Sequence, residues 1–312
     1  MLIQSKRKGF LPAMTRISPL AYVDKNAQLA DDVEVGPFSS IGPDVVLAEG
    51  CKLHNNVTIT GHTTVGANNE FFPNCVIGVA PQDLKYRGEP TTVEIGSGNV
   101  FRELVTVHRG TEVGGGITRI GNDNRILVGV HIAHDCLIGN ACVFANTVQF
   151  AGHCCIEDHV NIGGLAGVHH FATIGKYAFI AGAARITMDI PPFVLAAGYD
   201  IRPRALNSEG LARWGFTEKQ IANLRAAYRL FYSKRAATEA ASLDDKIASL
   251  QQSGNYDENV EYFCESIRRS KLLGVHGRYL ESKRRDTAED RKQYYERANT
   301  RGPLRNPTNQ DP

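Results

Sequence analysis

The chain has 312 residues, 42% of them hydrophobic and 22% charged, with a formal net charge of +2. That balance excludes wholesale disorder and lacks the basic excess of a general nucleic-acid binder. No apolar run is long enough for a membrane-spanning helix, and seven cysteines without a CxxC pair suggest neither a disulfide framework nor a zinc knuckle.

Residues 1–14 carry Lys6, Arg7 and Lys8 before a short apolar stretch, too brief for a secretory signal. They read as a loose N-terminal extension, and the default compartment is cytoplasmic. From Ile17 a six-residue period begins. Stepping by six meets Ile17, Val23, Leu29, Val35, Ile41 and so on to Ile77; the step resumes at Ile95, Phe101 and Val107, and again from Ile120 to Ile186. All twenty-six positions hold Ile, Leu, Val or Phe. Chance would give such a run on the order of 10⁻¹⁰ of the time before register choice. Two residues earlier a smaller side chain recurs, as at Ala21, Cys51, Cys75, Cys136, Cys142, Cys154 and Ala166. Five of the seven cysteines thus read as core filler.

A helix of period 3.6 would smear this pattern around its surface. A short strand ending in a turn every six residues keeps it inward. Three such strands close a triangular coil of 18 residues, and stacked coils form parallel sheets, about nine coils and roughly 40 Å tall here. The expected architecture is mainly β: a parallel β-helix over 15–192 followed by a C-terminal α-helical domain. Two segments, 79–94 and 108–119, break the period and should leave the coil as loops lining a cleft. After Pro191-Pro192 a helical region is expected over 193–281. Thr217 to Gln220 reads as a capping box; Ile221, Leu224, Tyr228 and Phe231 mark one helix, and runs around Ile247 and Phe263 mark two more. Residues 282–312 are charged and polar and read as a disordered tail.

The chemistry gathers in the middle and upper coils. Residues 18 apart stack on one face, so His134 lies under Gly152 and Gly152 under His170, while Asp135 lies under His153. A histidine suits proton abstraction from a hydroxyl near neutral pH. A glycine N–H can approach a developing oxyanion, and a carboxylate can fix the imidazole tautomer. The set suits acyl transfer with a general base and no covalent enzyme intermediate; no G-x-S-x-G elbow is present. A lone histidine on a coil face is ordinarily only solvated, and the clusters HIAHD (131–135), AGH (151–153) and VHH (168–170) set His134 apart. A zinc centre using His131 and His134 is the rival, but the coil above offers Gln149 and Gly152 in place of ligands, so neither a metal nor a cofactor is expected.

PQDLKYRGEPT (81–91), VTVHRGT (105–111), HIAHDC (131–136), AGH (151–153), IGG (162–164) and NSEGLARWGF (207–216) resemble the UDP-N-acetylglucosamine O-acyltransferases of lipid A biosynthesis, within the hexapeptide-repeat transferases. The resemblance covers roughly residues 17–270. It implies a left-handed coil and transfer of an (R)-3-hydroxyacyl chain from acyl carrier protein to the glucosamine 3-position of UDP-N-acetylglucosamine. His134 would be the general base, Asp135 its orienter and the Gly152 amide the oxyanion donor. Asp83 and Lys85 would position the sugar nucleotide. His108, His131, His153 and His169 would line the sugar and phosphate site. Asn207, Glu209 and Arg213 would contact acyl or nucleotide groups, and Gly182 would sit at the acyl-length ruler. Family members are homotrimers with the site between adjacent prisms, and Arg213, Arg268 and Arg269 could meet the acidic carrier protein. Gly129, His170 and Trp214 depart from the family's usual Asn, Gln and basic residue, which leaves a 3-hydroxyl or a 3-amino acceptor open. The sister N-acyltransferase and a non-catalytic scaffold are the alternatives. The former begins with an extra uridine-binding domain, for which the start of the repeat at Ile17 leaves no room; intact His134, Asp135 and Gly152 count against the latter.

Overall fold

The computed structural model describes residues 16–233, 241–289 and 291–292. The N-terminal extension 1–14 lies outside the described residues. From Arg16 the chain winds into three sheets of eleven, nine and eight strands, parallel throughout except for the last strand of the first. Most strands are only two residues long, such as His131–Ile132 and Gln149–Phe150, whose second residue is the large member of the hexad. The 18-residue register holds: His131 pairs with Gln149, Leu137 with Cys155 and Val143 with Asn161. The coil is the left-handed parallel β-helix expected from the hexads.

The period writes the core. Ile41, Ile59, Phe101, Ile126, Phe144 and Ile162 are fully buried, each contributing on the order of 1.5–3 kcal/mol of transfer free energy. The five hexad cysteines are likewise fully buried free thiols. Burial pushes the Cys75 and Cys142 thiols up to about 12, so they behave as filler rather than nucleophiles. The small slot also holds Asn69, Asn99 and Asn124. Asn69 Oδ1 accepts from Asn99 N at 3.0 Å and from Nδ2 at 2.9 Å, and Asn99 Oδ1 does the same for Asn124 at 2.9 Å. This buried ladder satisfies polar groups that an apolar residue would leave without partners.

The chain leaves the coil between Val79 and Thr92 and between His108 and Ile117; the last residues of each expected loop, 92–94 and 117–119, are instead strand. Across the first the pairing distance grows, with Thr92 opposite His62, and across the second Thr106 faces His131. Arg109 ties the loops together: its Nη1 donates to Gly78 O and its Nη2 to Tyr86 Oη, both at 2.7 Å.

The sheet does not stop at Pro191-Pro192. Val194–Ala197 adds a parallel strand beside Phe179–Ile180, and Arg202–Leu206 pairs with it antiparallel. Buried Phe193, Val194 and Ala196 supply the apolar face that keeps this segment in the sheet. The helices follow: α1 (Ser208–Arg213), α2 (Glu218–Tyr232), α3 (Leu243–Gln252) and α4 (Glu258–Arg268). Thr217 and Gln220 form the capping box of α2, which buries Ile221, Leu224 and Phe231. After α4 come a π-helical turn, Arg269–Leu273, and a 3₁₀ turn, Leu280–Lys283. Of the tail expected from residue 282, residues 282–289 are described: Asp286 lies beside Lys85 of the first loop, and Arg284 lies over Phe171 of the coil. The rest of that stretch, apart from 291–292, lies outside the described residues.

Candidate active site

The three sheets meet at three corners, and one corner carries the chemistry. It is the turn between the sheet of His131–Ile132 and the sheet of Leu137–Ile138. Asp135, His153 and Phe171 stack there in successive coils, all with positive φ (59°, 62° and 63°). That backbone turns the chain and lifts the preceding residue, His134 or Gly152, to the rim.

His134 lies against Gly152 as the arithmetic of the repeat requires. A Cβ on Gly152 would come within 2.4 Å of His134 Cε1 and 2.6 Å of Nε2. Only glycine leaves the ring its place. Among the described residues no group accepts from the Gly152 N–H, whereas its neighbours Ala151 and His153 donate to Val168 O and His134 O.

Asp135 orients the imidazole. Its Oδ2 lies 2.7 Å from His134 Nδ1. A carboxylate only accepts, so Nδ1 carries the hydrogen and Nε2 is left with its lone pair. Asp135 is itself fixed by Thr111, whose N donates to Oδ1 at 2.8 Å and whose Oγ1 donates to Oδ2 at 2.7 Å. Its backbone N donates to Thr118 Oγ1 at 2.8 Å. Thr111 and Thr118 escaped the sequence reading. Thr111 sits in the HRGT run of the second insertion, and only the folded loop shows that its hydroxyl reaches back to the coil.

The first insertion closes over this corner. Asp83 Oδ2 lies 3.8 Å from His134 Nε2 and 3.3 Å from Lys85 Nζ, while Asp83 Oδ1 accepts from Lys85 N at 2.8 Å. His153 meets His134 edge-on at 5.1 Å and stacks on Phe171 at 4.4 Å. Burial pushes His153 down to about 4 despite Asp135 nearby. Burial and the neighbouring His131 and His134 push His108 down to about 4 as well, and burial lowers His131. These rings stay neutral near pH 7, so a positive charge formed on His134 faces the carboxylates of Asp135 and Asp83.

A groove of about 520 Å³ runs from this corner along the adjoining sheet, lined by His131, His134, Gly152, His169 and Gln82. His131 Nδ1 contacts Thr106 Oγ1 at 2.7 Å, and the His131 ring meets His108 at 4.7 Å. His169 Nδ1 donates to His170 O at 3.1 Å.

Asn207, Glu209 and Arg213 lie elsewhere. They line a groove of about 650 Å³ with His159 and Trp214, at the corner between Cys155–Ile156 and Asn161–Ile162. Gly182 lies at the third corner, between Phe179–Ile180 and Arg185–Ile186, above Gly164, whose carbonyl oxygen would be 3.2 Å from a Cβ on it. Within one chain, the thirteen residues expected in the site therefore divide among three corners.

Asp83, His134 and His153 can each turn one donor atom to within 4.8 Å of the others, a set that could hold a metal ion. Such an ion would take His134 Nε2 or displace Asp135 from Nδ1. It would therefore compete with proton abstraction by the same ring.

Comparison with known proteins places the sequence and the fold. The family model of UDP N-acetylglucosamine O-acyltransferase domain 2 matches residues 189–276, and that of the bacterial transferase hexapeptide (six repeats) matches 26–61. An acyl-(acyl-carrier-protein)–UDP-N-acetylglucosamine O-acyltransferase of Stenotrophomonas maltophilia (strain R551-3) is 45% identical over 244 residues, 75% of this chain and 93% of that protein. The crystal structure of LpxA, a UDP-N-acetylglucosamine acyltransferase from Bacteroides fragilis, superposes with a TM-score of 0.77 at 38% identity, covering 82% of this chain and 98% of that one. The LpxA structure from Acinetobacter baumannii gives 0.73 at 37% identity, covering 86% and 98%.

Proposed function

The chain belongs to the UDP-N-acetylglucosamine O-acyltransferase family, and from that premise we propose that it moves an (R)-3-hydroxyacyl chain from acyl carrier protein to the glucosamine 3-hydroxyl of UDP-N-acetylglucosamine, the first step of lipid A biosynthesis. His134 Nε2 takes the hydroxyl proton as the sugar oxygen attacks the thioester carbonyl. The new C–O bond pushes the carbonyl electron pair onto oxygen, where the Gly152 N–H receives it. Collapse breaks the C–S bond, and the leaving thiolate takes the proton from the His134 imidazolium. Asp135, held by Thr111, keeps the imidazole in the tautomer this sequence needs.

One observation supports the mechanism: an imidazole with Nδ1 engaged by a carboxylate lies against a glycine whose N–H has no acceptor among the described residues. Asp83 and Lys85 position the sugar nucleotide, and His108, His131, His153 and His169 line its path. Asn207, Glu209, Arg213 and Gly182 serve the acyl or nucleotide groups from a neighbouring copy, in a homotrimer. The division of these residues among different corners of one prism supports that arrangement, since one chain alone cannot bring them together. Among the described residues no helix is long and apolar enough to cross a membrane; we assign the enzyme to the cytoplasm.

The test is product identity. Purified protein is incubated with UDP-N-acetylglucosamine and hydroxyacyl carrier proteins of several chain lengths, and the products are weighed and treated with mild alkali. A monoacylated sugar nucleotide whose acyl group is released as an ester supports the proposal. An alkali-stable amide or no product contradicts it.

A further inference from the structure

The domain 2 family model ends at residue 276, and the chain then crosses the catalytic corner. Gly277 O accepts from Asp189 N and from Ser270 Oγ, both at 2.8 Å, and Tyr279 N donates to Asp189 Oδ2 at 2.7 Å. Buried Arg278 donates to Thr187 O and pairs with Glu281. These bonds fasten a strap to the last coil. The strap then descends the column of the corner. The Arg284 guanidinium lies 5.0 Å over the Phe171 ring, which is itself stacked on His153.

The strap ends in the cleft. Asp286, its side chain 5% exposed, sits with Oδ2 3.5 Å from Lys85 Nζ. Arg284 grips both carboxylate oxygens, through Nε to Oδ1 and through Nη2 to Oδ2 at 2.9 Å. Arg291 Nη1 is 3.9 Å from Oδ1 and donates to Asp286 O at 3.0 Å. Lys85, Arg284 and Arg291 also line a cleft of about 610 Å³ that contains His134, Gly152 and Asp83. Three cations surround Asp286, one of them a guanidinium fork and one, Lys85, shared with Asp83 at 3.3 Å; such a donor set recognises phosphate as well as carboxylate. A phosphate group brings more acceptor oxygens than the carboxylate it would replace.

We propose that Lys85, Arg284 and Arg291 form a phosphate seat beside the reacting centre, and that Asp286 is its tethered internal occupant, displaced when a substrate phosphate enters. The inference rests on the assignment of Lys85 to the substrate cleft. A tethered group competes at a high effective concentration, often in the millimolar range, so it raises the apparent KM without altering the chemical step. The arriving phosphate is either the diphosphate of the sugar nucleotide or the phosphodiester of the carrier protein's pantetheine arm.

The full chain with Asp286→Asn keeps the side-chain shape and removes its charge. KM for the phosphate-bearing substrate that uses the seat should fall roughly 3- to 10-fold, with kcat within about twofold. A fall for UDP-N-acetylglucosamine alone assigns the seat to the diphosphate, and a fall for the acyl carrier protein alone assigns it to the pantetheine phosphodiester. Unchanged or raised KM for both overturns the proposal. Lys85→Met separates the premise: if it too leaves both KM values unchanged, Lys85 is not in the substrate cleft and the earlier assignment fails as well. If Lys85→Met raises KM while Asp286→Asn does nothing, only the internal-occupant role fails. The parent protein gives an independent readout. Saturating UDP-N-acetylglucosamine or acyl carrier protein should speed tryptic cleavage at Lys283 or Arg285, which flank the seat without belonging to it. Slowed or unchanged cleavage with both ligands overturns displacement.

Discussion

Gly152→Ala separates the imidazole's placement from the amide's chemistry. The φ of Gly152 lies outside the left-handed region, so alanine fits the backbone and retains the N–H donor. The added methyl would lie 2.4 Å from His134 Cε1. Ordinary carbon contacts begin near 3.5 Å, so the ring must retreat by about 1 Å. That movement stretches the 2.7 Å bond between Nδ1 and Asp135 past hydrogen-bonding range. A misplacement of this size at a reacting group costs on the order of 10²-fold, or about 2.7 kcal/mol in activation free energy. The expected result is a hundredfold fall in kcat with KM for UDP-N-acetylglucosamine changed by less than about threefold, since the other residues lining the sugar path are untouched. Steady-state transfer from hydroxyacyl carrier protein, followed by mass, measures both. A variant within threefold of the parental kcat would refute the claim that the glycine exists to seat His134.

Thr111→Val removes the hydroxyl donated to Asp135 at 2.7 Å but keeps the shape; kcat should fall roughly 10-fold, in keeping with a hydrogen bond to a charged group, and an unchanged kcat would remove Thr111 from the mechanism. Stability should depend on acid in a defined window. Burial holds His108, His153 and His170 at about 4 in the folded chain, against about 6.5 unfolded. Between those values the unfolded chain binds protons the folded chain refuses, so stability is complete above about 6.5 and is lost as pH falls toward 4. Asp189, pushed up by burial to about 6, works in the opposite sense and offsets part of the loss. Thermal unfolding from pH 7 to pH 5 should show Tm falling by roughly 3 °C or more; a flat or rising Tm would contradict the balance. Dialysis against a chelator should leave turnover intact and elemental analysis should find no stoichiometric metal; activity lost to chelation and restored by zinc would mean that Asp83, His134 and His153 hold an ion.

The coil was legible because its period is unlike that of a helix and its consequence is local. Each hexad fixes one strand, and the 18-residue stack then places Gly152 over His134 with no further information. The same logic explained the buried cysteines. What escaped depends on contacts between parts distant in sequence. Thr111 reaches Asp135 only because an insertion folds back on the coil. Arg284 and Asp286 lie in a run whose charge density reads as solvated tail; their partners, Phe171 and Lys85, belong to different coils and loops. The strand pair after Pro191-Pro192 was missed because the six-residue period stops there, although the apolar residues needed to extend the sheet do not. The asparagine ladder hid in plain view, since polar residues at a small inward slot look like exceptions until they pair with one another.

The most direct measurement is the turnover of His134→Ala with UDP-N-acetylglucosamine and hydroxyacyl carrier protein, taken beside its native mass and thermal unfolding. An intact assembly that has lost at least about 10²-fold in kcat is the predicted result. A well-folded variant acylating the sugar nucleotide at the parental rate would show that this imidazole is not the base.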